Sequence, residues 1–149
     1  MVNKSLAKFT KRILDFMFWA GIVVTLAVPW VFRWAGEYFP NLKNYYVFHV
    51  ILLMISGAAA VLIILELRRM FRTVLAEDCF VPENVRSLKR MGCLGLFIAA
   101  VTAARLFLVF TPATAVVIIV FFIASLFSFV LAGIFGEAVR YKQDNDLTI

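Results

Sequence analysis

The sequence predicts an all-α fold, a polytopic membrane protein built as a four-transmembrane-helix bundle with both termini cytoplasmic. Three observations carry that prediction. Of 149 residues, 64% are hydrophobic and only 16% charged, against about 45–50% apolar and ~25% charged in a soluble domain. The apolar residues gather into long, almost charge-free runs, and the basic residues collect on one side of those runs. A soluble chain of this length could not hide so much apolar surface in one core, and the same figures exclude disorder. The whole chain, residues 1–149, reads as a single membrane domain.

A helix needs about 20 mostly apolar residues to cross a bilayer. The first span is expected at about 13–34, where nothing is charged between Asp15 and Arg33. Pro29 falls inside it as a kink of the kind membrane helices tolerate. Lys4, Lys8, Lys11 and Arg12 before this run have the outline of a signal peptide. The run is long for one, however, and Thr25-Leu26-Ala27 is a poor small-residue cleavage site, so a membrane anchor is favoured. The second span is expected at about 45–66, closed by Glu66. Between Met91 and Gly136 the only charge is Arg105, a stretch too long for one crossing. Thr111-Pro112 supplies the break, because proline disfavours helix in the residue before it. Spans three and four follow at about 91–110 and 113–136, leaving a cytoplasmic loop at 67–90 and a cytoplasmic tail at 137–149.

Orientation comes from charge. Lys4, Lys8, Lys11 and Arg12, then Arg68, Arg69, Arg72, Arg86, Lys89 and Arg90, then Arg140 and Lys142 make twelve of the fifteen basic residues, all on one side. Basic residues favour the cytoplasmic face, so the net charge of +6 is an address and not a nucleic-acid surface; no direct nucleic-acid binding is expected. Trp30, Trp34, Tyr38, Tyr45 and Tyr46 form an aromatic belt at the opposite boundary. Cys79 and Cys93 then lie at or near a reducing compartment, where a disulfide is not expected.

Lipid gives helices no hydrophobic reason to associate, so small residues carry the packing signal. Gly95, Ala99 and Ala103 on span three, and Ala124, Ser128, Ala132 and Gly136 on span four, recur at every fourth position and are expected to face each other. Ser56 and Ala60 make a shorter stripe on span two. In the 67–90 loop, helical periodicity runs on to Leu75, a break follows at 76–79, and Pro82 opens a new helix, since its missing N–H is not needed there. Basic elements at this depth lie along anionic headgroups or offer a docking surface to a cytoplasmic partner.

Two stretches resemble a known family: Cys79-Phe80-Val81-Pro82-Glu83-Asn84-Val85-Arg86-Ser87-Leu88-Lys89-Arg90-Met91-Gly92, and the C-terminal Lys142-Gln143-Asp144-Asn145-Asp146-Leu147-Thr148-Ile149. Both are similar to small four-span bacterial membrane proteins without assigned function, domain of unknown function 2975. The resemblance covers the whole chain in layout and about twenty-two residues in motif, by count of the two stretches. It implies a bacterial inner-membrane protein and, through frequent gene neighbourhood, a small cytoplasmic helix-turn-helix DNA-binding regulator as partner. It carries over no catalytic residue.

Ionisable residues within spans are functional candidates. His49 and Arg105 sit at similar depths near the outer side, and with Glu37 and Arg33 form a candidate outer polar pocket for an anionic or peptidic ligand. The alternative is that Arg105 snorkels to headgroups and His49 is interfacial. The candidate cytoplasmic interaction surface comprises Arg68, Arg69, Arg72, Phe80, Glu83, Asn84, Arg86, Asp144, Asn145 and Asp146, with the acidic tail either folding on the basic loop or binding a partner. No nucleotide-binding, serine-hydrolase or metal-ligand pattern occurs, so no catalytic residue, cofactor or metal is expected. The expected function is non-enzymatic sensing or regulation through a cytoplasmic regulator. The alternatives are a small oligomeric transporter or channel subunit, which would make the chain a homo-oligomer, and an immunity protein that binds an antimicrobial peptide in the membrane.

Overall fold

The computed structural model describes residues 3–147. Its elements are α1 (Lys4–Tyr38), α2 (Pro40–Lys43), α3 (Tyr46–Leu75), α4 (Pro82–Leu106) and α5 (Pro112–Leu147). Each boundary has a local cause. The Asn3 side chain caps α1 by accepting from the backbone N–H groups of Ser5 and Leu6 at 3.1 and 3.3 Å, donors that a helix start leaves orphaned. Phe39, the cap residue of α1, is extended, as suits a residue before proline. Prolines 82 and 112 open α4 and α5, and α3 stops before Glu77, whose φ of 60° no helix can absorb.

The four long helices are each long and apolar enough to cross a membrane, so the chain is a multi-pass membrane protein. The exposed side chains agree: Phe16, Trp19, Trp30, Phe122 and Phe127 all point outward. In water such a surface would aggregate; in lipid it is simply solvated.

Helices α1 and α3, α3 and α4, and α4 and α5 pack in chain order, while α1 and α5 do not pack on each other. Close approach is set by glycine against hydroxyl. A Cβ at Gly57 on α3 would stand 2.6 Å from Thr25 Oγ1 on α1, and one at Gly95 on α4 would overlap Ser125 Oγ on α5. Ser125 is only 1% exposed, and its hydroxyl donates to the Phe121 carbonyl at 2.7 Å, so it needs no partner across the seam.

This corrects the expected α4–α5 seam. Gly95 and Ala99 on α4 and Ala132 on α5 are buried as anticipated, but the residue that meets Gly95 is Ser125, while Ala124 is exposed and nothing lies near a Cβ at Gly136. The contact line drifts around α5, because residues four apart on a 3.6-residue helix do not stay on one face. Residues 137–147, expected as a cytoplasmic tail, continue α5 as helix to Leu147. Residues 148–149, with the terminal carboxylate of the anticipated acidic tail, lie outside the described residues.

The N-terminus of α1 and the C-terminus of α5 lie at the end of the bundle that holds the 76–81 connector. Lys4 pairs with Glu77 at 2.8 Å, and Lys142 pairs with Asp78. This basic end is opposite the aromatic end, where α2 and the 107–111 connector sit.

Candidate functional site

Polar chemistry is concentrated at the basic end, between the last turns of α3 and the first turns of α4. Positions 66, 69 and 73 of α3 share one helix face, as three- and four-residue spacing requires, and α4 runs antiparallel past them. Glu66 is 5% exposed. Its Oε2 accepts from the Ser87 hydroxyl at 2.7 Å, and its Oε1 accepts from Arg69 at 2.9 Å and Arg90 at 3.3 Å. A buried carboxylate is tolerated only when its charge is balanced and its lone pairs are filled; here both conditions are met by two helices jointly.

Two turns further on, Asn84 is 2% exposed. Its Nδ2 donates to Thr73 Oγ1 and to the Cys79 carbonyl, both at 2.7 Å. One amide thus ties α3, the connector and α4 together. On the opposite flank, Arg68 Nε donates to Asp15 of α1 at 2.6 Å, and its guanidinium lies 4.6 Å from the Phe18 ring centre, a cation–π geometry. Glu77 is fully exposed in the connector; the Lys4 ammonium, by its hydrogen bond and then its charge, holds that carboxyl below the usual glutamate range.

These contacts redraw the expected cytoplasmic surface. Asn84 is no part of it, because its amide is consumed inside the α3–α4 junction. Arg68 is likewise turned inward on Asp15 and Phe18. Phe80 packs edge-on against Phe135 of α5, with ring centres 5.3 Å apart, yet stays exposed on the surface. Arg69 is shared between Glu66 and the exterior, its side chain being 49% exposed. Arg72, Glu83 and Arg86 remain on the outside, together with Asp144, Asn145 and Asp146 on the last turns of α5. The contact between the α5 end and the loop runs through Lys142 and Asp78. Reading the sequence alone missed Glu66, Ser87 and Thr73 as site residues. The available signal was an acid at 66 with arginine three residues on, and a serine at 87 with arginine at the same spacing.

At the aromatic end the four candidate residues do not share one pocket. Arg33 and Glu37 line a cleft of about 460 Å³ with Phe32, Gly36, Lys43 and Tyr46. Arg105 lines a different cleft, also of about 460 Å³, to which all four long helices contribute. His49 lines neither: it is 2% exposed, its ring lies 6.2 Å from that of Phe32, and its Nδ1 has no hydrogen-bond partner. The Pro29 turn of α1 is held to α3 by the Tyr46 hydroxyl, which donates to the Pro29 carbonyl at 2.8 Å. Among the described residues, no three His, Cys, Asp or Glu side chains cluster as a metal site would require.

A family model described as a protein of unknown function, DUF2975, matches residues 30–149. No curated protein and no solved structure matches the chain.

Proposed function

The chain belongs to the DUF2975 family, and from that premise we propose that it is a non-enzymatic regulatory protein of the bacterial inner membrane. In this reading both termini are cytoplasmic, and the basic end engages a small helix-turn-helix transcription regulator. The supporting observation is the buried Glu66 junction. A carboxylate shared by Ser87 and Arg90 of α4 and Arg69 of α3 makes the relative position of the two helices a discrete, ionically defined state. A shift of either helix must break or remake those bonds, and packed elements with two discrete arrangements are how coupling is carried. Arg72, Glu83 and Arg86 stand beside the junction as the surface on which such a shift would register.

The experiment is isolation of the full chain from gently solubilised native membranes, followed by identification of what accompanies it. Recovery of a small DNA-binding protein, lost when residues 143–149 are deleted or when Arg72 and Arg86 are both replaced by Glu, supports the reading. Equal recovery of accompanying proteins with and without those changes overturns it. A fluorescent-protein fusion at the C-terminus, which matures in the cytoplasm and not beyond the inner membrane, checks the orientation.

A further inference from the structure

The cleft that holds Arg105 is the least explained feature of the molecule. It lies toward the aromatic end, its volume is about 460 Å³, and its walls are mostly apolar, with Leu53, Val101 and Val117 among them. Helices α1 and α5 both line it without packing on each other, so no helix contact seals the wall between them. Thr111 and Thr114 bring hydroxyls to its outer end. Arg105 stands in the last turn of α4, half-buried. The helix dipole favours a cation there, yet among the described residues no carboxylate forms an ion pair with it. A charge within a membrane span ordinarily pairs or faces a functional cavity.

We propose that this cleft binds a single-chain anionic lipid, a fatty carboxylate, with its head on Arg105 and its chain along the apolar wall between α1 and α5. Charge complementarity selects an anion, since the cleft offers one unpaired cation and no acid. The apolar walls select a chain behind that head. Size suits a single chain: a volume of about 460 Å³ falls within the range of small-ligand pockets. The wall that α1 and α5 leave unsealed lets such a ligand arrive from the lipid phase without crossing water. The site stands whether or not a regulator docks at the opposite end.

The test uses the full chain in phosphatidylcholine nanodiscs with a photoreactive palmitate probe, competed by palmitate, by hexadecanol and by dioleoylphosphatidylglycerol. Crosslinking should map to the α1, α3, α4 and α5 residues of the cleft and be displaced by palmitate in preference to the diacyl lipid. Arg105→Leu should weaken palmitate competition by about ten- to a hundredfold, the worth of a hydrogen bond to a charged group, while leaving competition by uncharged hexadecanol unchanged. Ala60→Phe, which fills the cleft, should abolish both. The proposal is overturned by crosslinks outside the cleft, by unchanged palmitate competition in Arg105→Leu, or by the diacyl lipid competing as well as palmitate. Should Arg105→Leu fail to fold, helical Ala60→Phe decides: retained palmitate binding there also overturns it.

Discussion

Ser87 on α4 donates a 2.7 Å hydrogen bond to the carboxylate of Glu66 on α3, at a place where both residues are buried. Two arginines complete the carboxylate's partners, but their side chains are 49% and 58% exposed, so solvent screens much of their contribution. The serine is the only one of the three donors that is itself buried, and it fixes which turn of α4 meets Glu66.

Replacing Ser87 with alanine therefore leaves one oxygen of a buried carboxylate without its donor. The expected cost is about 1–3 kcal/mol, read as a lowered midpoint in thermal unfolding of the detergent-solubilised protein. Glu66→Leu, which removes the buried charge and leaves the two arginines free to reach water, should cost no more than Ser87→Ala, because a well-packed apolar residue often replaces a buried ion at little loss. A Glu66→Leu variant much less stable than Ser87→Ala would show that the arginine pairs, not the serine, dominate the junction.

The α4–α5 seam makes a paired prediction. Gly95→Ala drives a methyl group into Ser125 Oγ, and overpacking of this kind costs about 1–3 kcal/mol. Gly136→Ala meets nothing and should stay within about 0.5 kcal/mol of the parent. Ser125→Ala in the Gly95→Ala background removes the overlapping atom and should restore most of the loss. Unfolding midpoints of the four proteins check all three statements together.

Asn84 supplies two hydrogen bonds to the 73–79 region. Asn84→Ala should loosen the 76–81 connector, with faster amide hydrogen exchange there and a stability loss of about 1–3 kcal/mol. Asn84→Asp retains the shape but offers an ionised side chain no donor, and it should be at least as disruptive. Unchanged exchange in Asn84→Asp would mean that packing, not the amide donor, holds the connector.

The Lys4–Glu77 pair gives a pH dependence of definite sign. The folded-state carboxyl of Glu77 is lowered, so the contribution of the pair is complete above the usual glutamate range and is lost as the pH falls through the lowered folded value. Acidification through that window should release the N-terminus of α1 from the connector, seen as increased protease access near Lys4. Glu77→Gln should have that access at every pH. Glu77→Gly should relax the backbone at φ 60°, where glycine alone is unstrained, so it should lose the pair without destabilising the connector fold.

Much of the architecture was legible in the chain itself. Charge-free length gave four spanning helices, and proline and the 76–79 break placed their interruptions. The position of the basic residues predicted that both ends and the central loop would share one side, and the Lys4–Glu77 and Lys142–Asp78 pairs bring them together. The candidate sites were less legible. Asn84 and Arg68 look like surface residues by type, yet each is spent on an internal contact. His49, Arg105, Arg33 and Glu37 share a depth, but depth along a helix does not say which way a side chain faces.

What the sequence determined, then, was the one-dimensional order: which segments enter lipid, where they stop, and which end carries charge. Only the tertiary structure decided the rotation of each helix about its own axis. The reason is physical. In water an apolar stripe marks the inward face, whereas in lipid the outside is as apolar as the inside, and hydrophobicity no longer points. The faces are chosen instead by close contacts such as Gly95 on Ser125, one residue away from the stripe that spacing suggested, and by the few polar groups that must find partners. That is why Glu66, Ser87 and Asn84, unremarkable in the sequence, define the junction, and why Arg105, conspicuous in the sequence, lines a cleft with no ion-pair partner among the described residues.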